Sequence, residues 1–131
     1  WRESPAGAAA DDDFVSLWGT AADHIVAVGG RASARVSTWD GATWTTERPP
    51  ATGGLNAVFM VEPHTAIVGG IFGFVGRFDV SAGSINQEDL DSNNSVHAIW
   101  CDGAERCYGV GGRFSPPFAG IAYVRTLEVV Q

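Results

Sequence analysis

The chain has 131 residues, 45% of them hydrophobic and 18% charged, with fifteen carboxylates against eight cations for a formal charge of −7. That supplies enough apolar material for one globular core, and a net charge that repels a phosphate backbone and argues against nucleic acid as a partner. The apolar stretches are strand-length and are interrupted by Gly, Pro or polar residues, so no membrane-spanning helix of ~20 residues is predicted.

In chain order, Trp1-Arg-Glu-Ser-Pro5 comes first, a short segment whose role is set by its distance from the first strand. Residues 14–18, Phe-Val-Ser-Leu-Trp, alternate as a half-buried strand and lead into the turn Gly19-Thr-Ala-Ala-Asp-His24. Residues 25–28 form a nearly continuous apolar run, the pattern of a strand packed on both faces. Gly29-Gly30 ends it, because glycine reaches positive φ at little cost where the chain must swing away. Residues 35–39 make a third strand, Asp40-Gly41-Ala42 a tight turn and residues 43–46 a fourth strand, after which Pro49-Pro50 forbid further pairing. The unit spanning 14–50 is a meander of four antiparallel strands.

The unit recurs. Phe14-Val-Ser-Leu-Trp18, Leu55-Asn-Ala-Val-Phe59 and Val96-His-Ala-Ile-Trp100 begin at 14, 55 and 96, a period of 41. Their partners Val28-Gly-Gly30, Val68-Gly-Gly70 and Val110-Gly-Gly112 recur at intervals of 40 and 42. Short strands repeating near every 40 residues predict an all-β fold, a β-propeller of three four-stranded antiparallel blades over 14–50, 55–90 and 95–131. The second unit replaces the Asp-Gly turn by Asp79-Val-Ser-Ala-Gly83 and Trp44 by Ile85, and the third runs through residues 119–125 without a recognisable fourth strand.

Trp44 and Ile85 each lie eleven residues before the next unit, and Trp1 lies thirteen before Phe14. Residues 1–5 therefore read as the closing strand of a different blade, with Trp1 as the ring-closing residue. Three blades alone would leave two flat apolar faces open. The expected partner is a second copy, giving a homodimeric six-bladed ring, or a different chain that supplies the missing blades.

The phrase Ser37-Thr-Trp-Asp-Gly-Ala-Thr-Trp44 resembles the Asp-box of sialidase-type propeller repeats. It departs from that pattern in having Asp40 and Gly41 adjacent, so the calcium and sugar roles linked to such boxes do not carry over. Over nearly the whole chain, the Val-Gly-Gly and Asp-Gly-x-Thr-Trp phrases resemble bacterial propeller repeats related to photosystem-assembly-factor and Asp-box propellers. The resemblance implies a structural repeat and is nearly silent on function.

Propeller ligands usually bind at one end, on the loops between second and third strands and between blades. The former are residues 31–35, 71–77 and 113–120, and they nominate Arg31, Arg35, Phe72, Phe74, Arg77, Arg113, Phe114 and Phe118, with Pro116-Pro117 stiffening the last loop. Aromatic side chains beside Arg suit a protein, peptide or glycan surface, and the competing structural role for the Phe residues is to plug gaps between blades. A sialidase-like reaction would need a Tyr nucleophile, an Arg cluster and paired carboxylates, yet Tyr108 and Tyr123 fall in predicted strands. His24 and His64 read as equivalent turn residues, and His97 as a filler on an inner strand. The Asp11-Asp12-Asp13 and Asp89/Asp91 loops read as solvated acidic loops in preference to calcium sites. The expectation is a non-enzymatic interaction module without cofactor or metal, the alternative being a carbohydrate-binding lectin or a remnant of a sialidase-like glycosidase.

Cys101 and Cys107 flank one turn, where antiparallel pairing can bring their Cβ atoms within the ~4 Å of a disulfide; two separate buried thiols are the alternative. A disulfide would point to an extracytoplasmic compartment, periplasm, cell surface or medium. The eight cations are all Arg, a bias that fits a GC-rich bacterial genome.

Overall fold

A computed structural model describes residues 1–6 and 12–125, and within them the repeats become three antiparallel sheets in chain order. The N-terminal sheet holds β1 (Phe14–Ala21), β2 (His24–Gly29), β3 (Arg35–Trp39) and β4 (Trp44–Glu47). The middle sheet holds β5 (Leu55–Glu62), β6 (Thr65–Gly70), β7 (Val75–Asp79) and β8 (Ser84–Glu88), with one 3-10 turn, η1 (Ile71–Gly73), between β6 and β7. The C-terminal sheet holds three strands among the described residues, β9 (Ser95–Asp102), β10 (Arg106–Arg113) and β11 (Ala119–Arg125). The middle sheet packs against both others, and the described residues form an open stack of sheets with no closed ring.

Strand pairing corrects the repeat register. Ser16 pairs with Val28, Ala57 with Gly69 and Ala98 with Val110, so the second strands also repeat every 41 residues. The Val-Gly-Gly phrase of the second repeat is thus displaced by one residue from those of its neighbours. A one-residue slip turns a strand side chain to the opposite face. Val28 and Val68 consequently meet in one core instead of occupying equivalent places. The true counterpart of Val28 is Gly69, where an added Cβ would lie 2.7 Å from Val96 Cγ1. His24 and His64 are likewise not equivalent, because Ala21 pairs with His24 whereas Glu62 pairs with Thr65.

Each sheet has a leading face toward the next repeat and a trailing face toward the previous one. The leading face of the N-terminal sheet presents Val26, Val28 and Val36 to the trailing face of the middle sheet, which answers with Val58, Met60, Ala66, Val68 and Phe78. All are essentially removed from water, and Ile85, where β4 has Trp44, packs against them. The leading face of the middle sheet, with Phe59 and Ile67, meets Ile99, Cys101 and Cys107 of the C-terminal sheet. The two cysteines form the disulfide, with Cα atoms 4.0 Å apart, in directly opposed positions of β9 and β10.

The edge strands β1, β5 and β9 each carry a register irregularity at the same place, which sets Val15, Asn56 and His97 outside the ladder. A bulge of this kind bends a strand and re-aims the extra side chain. Asn56 uses that freedom to donate from Nδ2 to the Val96 carbonyl at 3.1 Å, tying the middle sheet to the C-terminal one.

Candidate functional site

The β2–β3 loop, η1 and the β10–β11 loop gather at one end of the stack, where the chain also enters β1, β5 and β9. Gly30 N donates to both the backbone and the side chain of Asp13, Ile71 N donates to Gly54 O, and η1 lies against β9. The ring of His97, on its bulge, stacks on Phe114 at 4.2 Å and 24°. Phe72, Phe114 and Phe118 are each between 73% and 80% exposed at this end. Phe72 adopts left-handed backbone angles (φ 55°, ψ 37°), a conformation that costs a non-glycine residue about 1–2 kcal/mol and is tolerated where surrounding structure enforces it. It holds the ring out from the surface.

The arginines of this end divide by partner. Arg31 is exposed and pairs with Asp13 at 3.2 Å. Arg35 is mostly buried, with Nε 2.6 Å from Oδ1 of Asp12, and Arg48 donates to both oxygens of the same carboxylate. Asp12 itself is buried, so this cluster fastens the entry of β1 to β3 and the segment after β4. Arg113 closes β10 on the surface. The remaining two sequence candidates lie inside the stack. Phe74 packs against the first core, and Arg77 reaches the Ala104 carbonyl at 3.4 Å from the leading face of the middle sheet.

At the opposite end, Asp23 Oδ1 and His24 Nδ1 are 2.8 Å apart, and this hydrogen bond holds the Asp23 carboxyl below its usual range. The His24 and His64 rings meet edge to face at 5.7 Å beside a cavity of about 170 Å³ lined also by Trp39, Met60 and Pro63. Tyr108 lies on β10 facing Trp100, and Tyr123 on β11 within 3.5 Å of Ser92 Oγ. These placements, among the described residues, join no Ser, Cys or Tyr nucleophile to a His–carboxylate pair.

The leading face of the C-terminal sheet is one of the apolar faces that three such units leave open, but the residues that form it do not stand out in the sequence. There, Trp100, Tyr108 and Val124 form one cross-strand row and Ala98, Val110 and Ala122 a second. Val110 is 54% exposed although its counterpart Val28 is fully buried, and Tyr108 occupies the place of buried Val26 and Ile67. Superposing the repeats at a constant 41 residues would have found this face; the shifted Val-Gly-Gly phrase obscures it. Residues 4–6 lie on the trailing face of the N-terminal sheet. Both Ser37 Oγ and Thr46 Oγ1 donate to the Ala6 carbonyl, at 2.7 and 2.8 Å, and Trp44 Nε1 donates to Ser4 Oγ.

Between the middle and C-terminal sheets lies a cavity of about 210 Å³, lined by Ile67, Val75, Leu90, Ile99, Gly109 and Tyr123. Its polar margin is the pair formed when Arg125 donates from Nε and Nη2 to the two carboxylate oxygens of Glu88, at 2.5 and 2.9 Å. No helix among the described residues is long and apolar enough to cross a membrane. No protein-family model, curated protein or solved structure matches the chain.

Proposed function

We propose that the chain is a three-blade wedge of a bacterial, extracytoplasmic β-propeller and acts as a non-enzymatic interaction module. It assembles with further blades into a closed ring and presents the end bearing Phe72, Phe114 and Phe118 to a protein, peptide or glycan. The observation that carries the reading is the double use of one packing mode, leading face onto trailing face, with the equivalent leading face of the C-terminal sheet still exposed. Stacked repeats of this kind are stable when each apolar face finds a neighbour. The three exposed Phe rings beside Arg31 and Arg113 supply the aromatic and cationic character of a recognition surface. The buried disulfide supports placement outside a reducing cytosol.

The test has two parts. Light scattering on the purified, unreduced chain is expected to give a mass above that of the 13.8 kDa monomer, and a strictly monomeric chain would overturn the assembly. Binding to peptide and glycan arrays is expected to fall at least tenfold in Phe114→Ala and Phe118→Ala. Binding confined to glycans would favour the lectin alternative, and hydrolysis of a glycoside by the pure protein would overturn the non-enzymatic reading.

A further inference from the structure

We infer that the exposed leading face of the C-terminal sheet receives the N-terminal sheet of a second copy, whose residues 1–5 add a fourth strand beside β11 and seat Trp1 in the cavity above Glu88 and Arg125. This rests on the propeller reading and names its interface.

The register places the indole. In the N-terminal sheet Trp44 pairs with Trp39, and in the middle sheet Ile85 pairs with Phe78. Both fourth-strand residues point to the trailing face, and Ile85 is in the core beneath. In the C-terminal sheet the counterpart of Trp39 and Phe78 is Arg125, because Val36, Val75 and Ala122 occupy matching rungs opposite Val28, Gly69 and Val110. A fourth strand on β11 would set its Trp44-equivalent opposite Arg125, facing the middle sheet, where the 210 Å³ cavity lies. Trp1 matches Trp44 in residue type, with a connection to the next unit two residues longer, thirteen against eleven, and its side chain is fully exposed. An indole against the Arg125 guanidinium gains cation–π attraction while covering Val75 and Tyr123.

The position of the donor segment agrees. Residues 4–6 are already fixed to the trailing face of the N-terminal sheet through Ser37, Thr46 and Trp44. A strand held there belongs to the blade that precedes the N-terminal sheet, and the open leading face among the described residues is that of the C-terminal sheet. Two wedges joined head to tail twice close by a two-fold rotation, leaving neither face in water. The Trp18 and Phe59 rings lie 4.4 Å apart, tilted by 32°, and Phe59 meets Trp100 edge to face at 6.4 Å; in the ring Trp100 continues this aromatic row onto the partner's Trp18.

The experiment is light scattering over a dilution series of wild type, Trp1→Ala and Val110→Arg, with far-ultraviolet circular dichroism on each. Wild type is expected at twice 13.8 kDa. Val110→Arg, a change at an exposed position, is expected to be a folded monomer. Trp1→Ala is expected to raise the dimer dissociation constant at least tenfold with unchanged dichroism. A wild-type monomer overturns both the ring and this interface. A dimer that Val110→Arg leaves intact overturns the interface alone. A dimer lost in Val110→Arg but unaffected by Trp1→Ala overturns the donor strand and its socket while the ring stands. If Val110→Arg loses its dichroism, Val124→Glu on the outer strand of the same face replaces it and is read the same way.

Discussion

The two interfaces within this chain use the same sheet geometry with different contents. Between the N-terminal and middle sheets, Val26, Val28, Val36, Leu55, Val68 and Phe78 interlock with essentially no exposed area. Between the middle and C-terminal sheets the buried set shrinks to Ile67, Val96 and the disulfide, with Gly109 where the middle sheet has Val68 and the N-terminal sheet has Ala27. The missing methyl groups leave the 210 Å³ cavity. The Glu88–Arg125 pair takes over part of the cohesion across the interface, and the disulfide stiffens the C-terminal sheet itself. Repeat architectures derive stability from neighbour interfaces. One interface here is a self-sufficient core, and the other is built around a vacancy that a neighbour can fill.

The largest expected effect is on the first interface. Phe78→Ala removes a fully buried ring and should cost about 4 kcal/mol, read as a lower urea midpoint with loss of a single cooperative transition. A cost below ~1 kcal/mol would mean that the interface collapses around the gap and that its packing is not specific. Next comes the second interface. The disulfide closes a short loop, its cysteines six residues apart, so Cys101→Ala/Cys107→Ala should lose about 2 kcal/mol. Protease nicking should then increase within residues 95–125 and not within 14–50. Uniform sensitivity would show that the sheets unfold as one unit.

A smaller effect of opposite sign is expected at Gly109. An added Cβ there would sit 3.4 Å from Val96 Cγ1, 3.5 Å from the Ala98 carbonyl and 3.7 Å from Tyr123, all ordinary contacts. Gly109→Ala should stabilise by about 0.5 kcal/mol through reduced chain entropy and partial filling of the cavity. Destabilisation in thermal melts would show that the vacancy is required by the fold.

The smallest effect separates the turns. The Asp40 carboxylate accepts from Thr43 N at 2.8 Å and Ala42 N at 2.9 Å, and these bonds hold its pKa below the usual carboxylate value. A depressed folded-state pKa stabilises above the unfolded pKa of about 4, and that contribution disappears as pH falls through the folded value. Asp40→Asn should therefore lower the melting temperature slightly at neutral pH and converge with wild type in acid. A constant offset at every pH would assign the loss to turn geometry instead of charge.

Much of this architecture is legible in the chain. The 41-residue spacing of Phe14, Leu55 and Val96, the Asp40-Gly41 turn, the three strands of the last repeat and the Cys101–Cys107 pairing all derive from local chemistry: side-chain alternation, turn-forming residues and two thiols across one hairpin. The ring-bearing loops at Phe72, Phe114 and Phe118 are legible too, because they fall between recognisable second and third strands. Other features are not local. The phrase Val-Gly-Gly looks alike in each repeat, yet a one-residue slip sends Val68 to the face opposite that of Val28 and Val110, and only cross-strand pairing reveals it. Whether an arginine–carboxylate pair is exposed or buried is equally invisible: Arg31 stays exposed on Asp13 while Arg35 is buried on Asp12, twenty-three residues earlier in the chain.

What the sequence determined by itself is the unit: an antiparallel meander of short strands repeated every 41 residues, fixed by alternation and by glycine, proline and Asp-Gly turns that act over a few bonds. What tertiary structure decided is which face each residue occupies and which faces remain unanswered. Burial depends on the sheet that arrives from the next repeat, and that is why Val28 lies in a core while its counterpart Val110 still meets water.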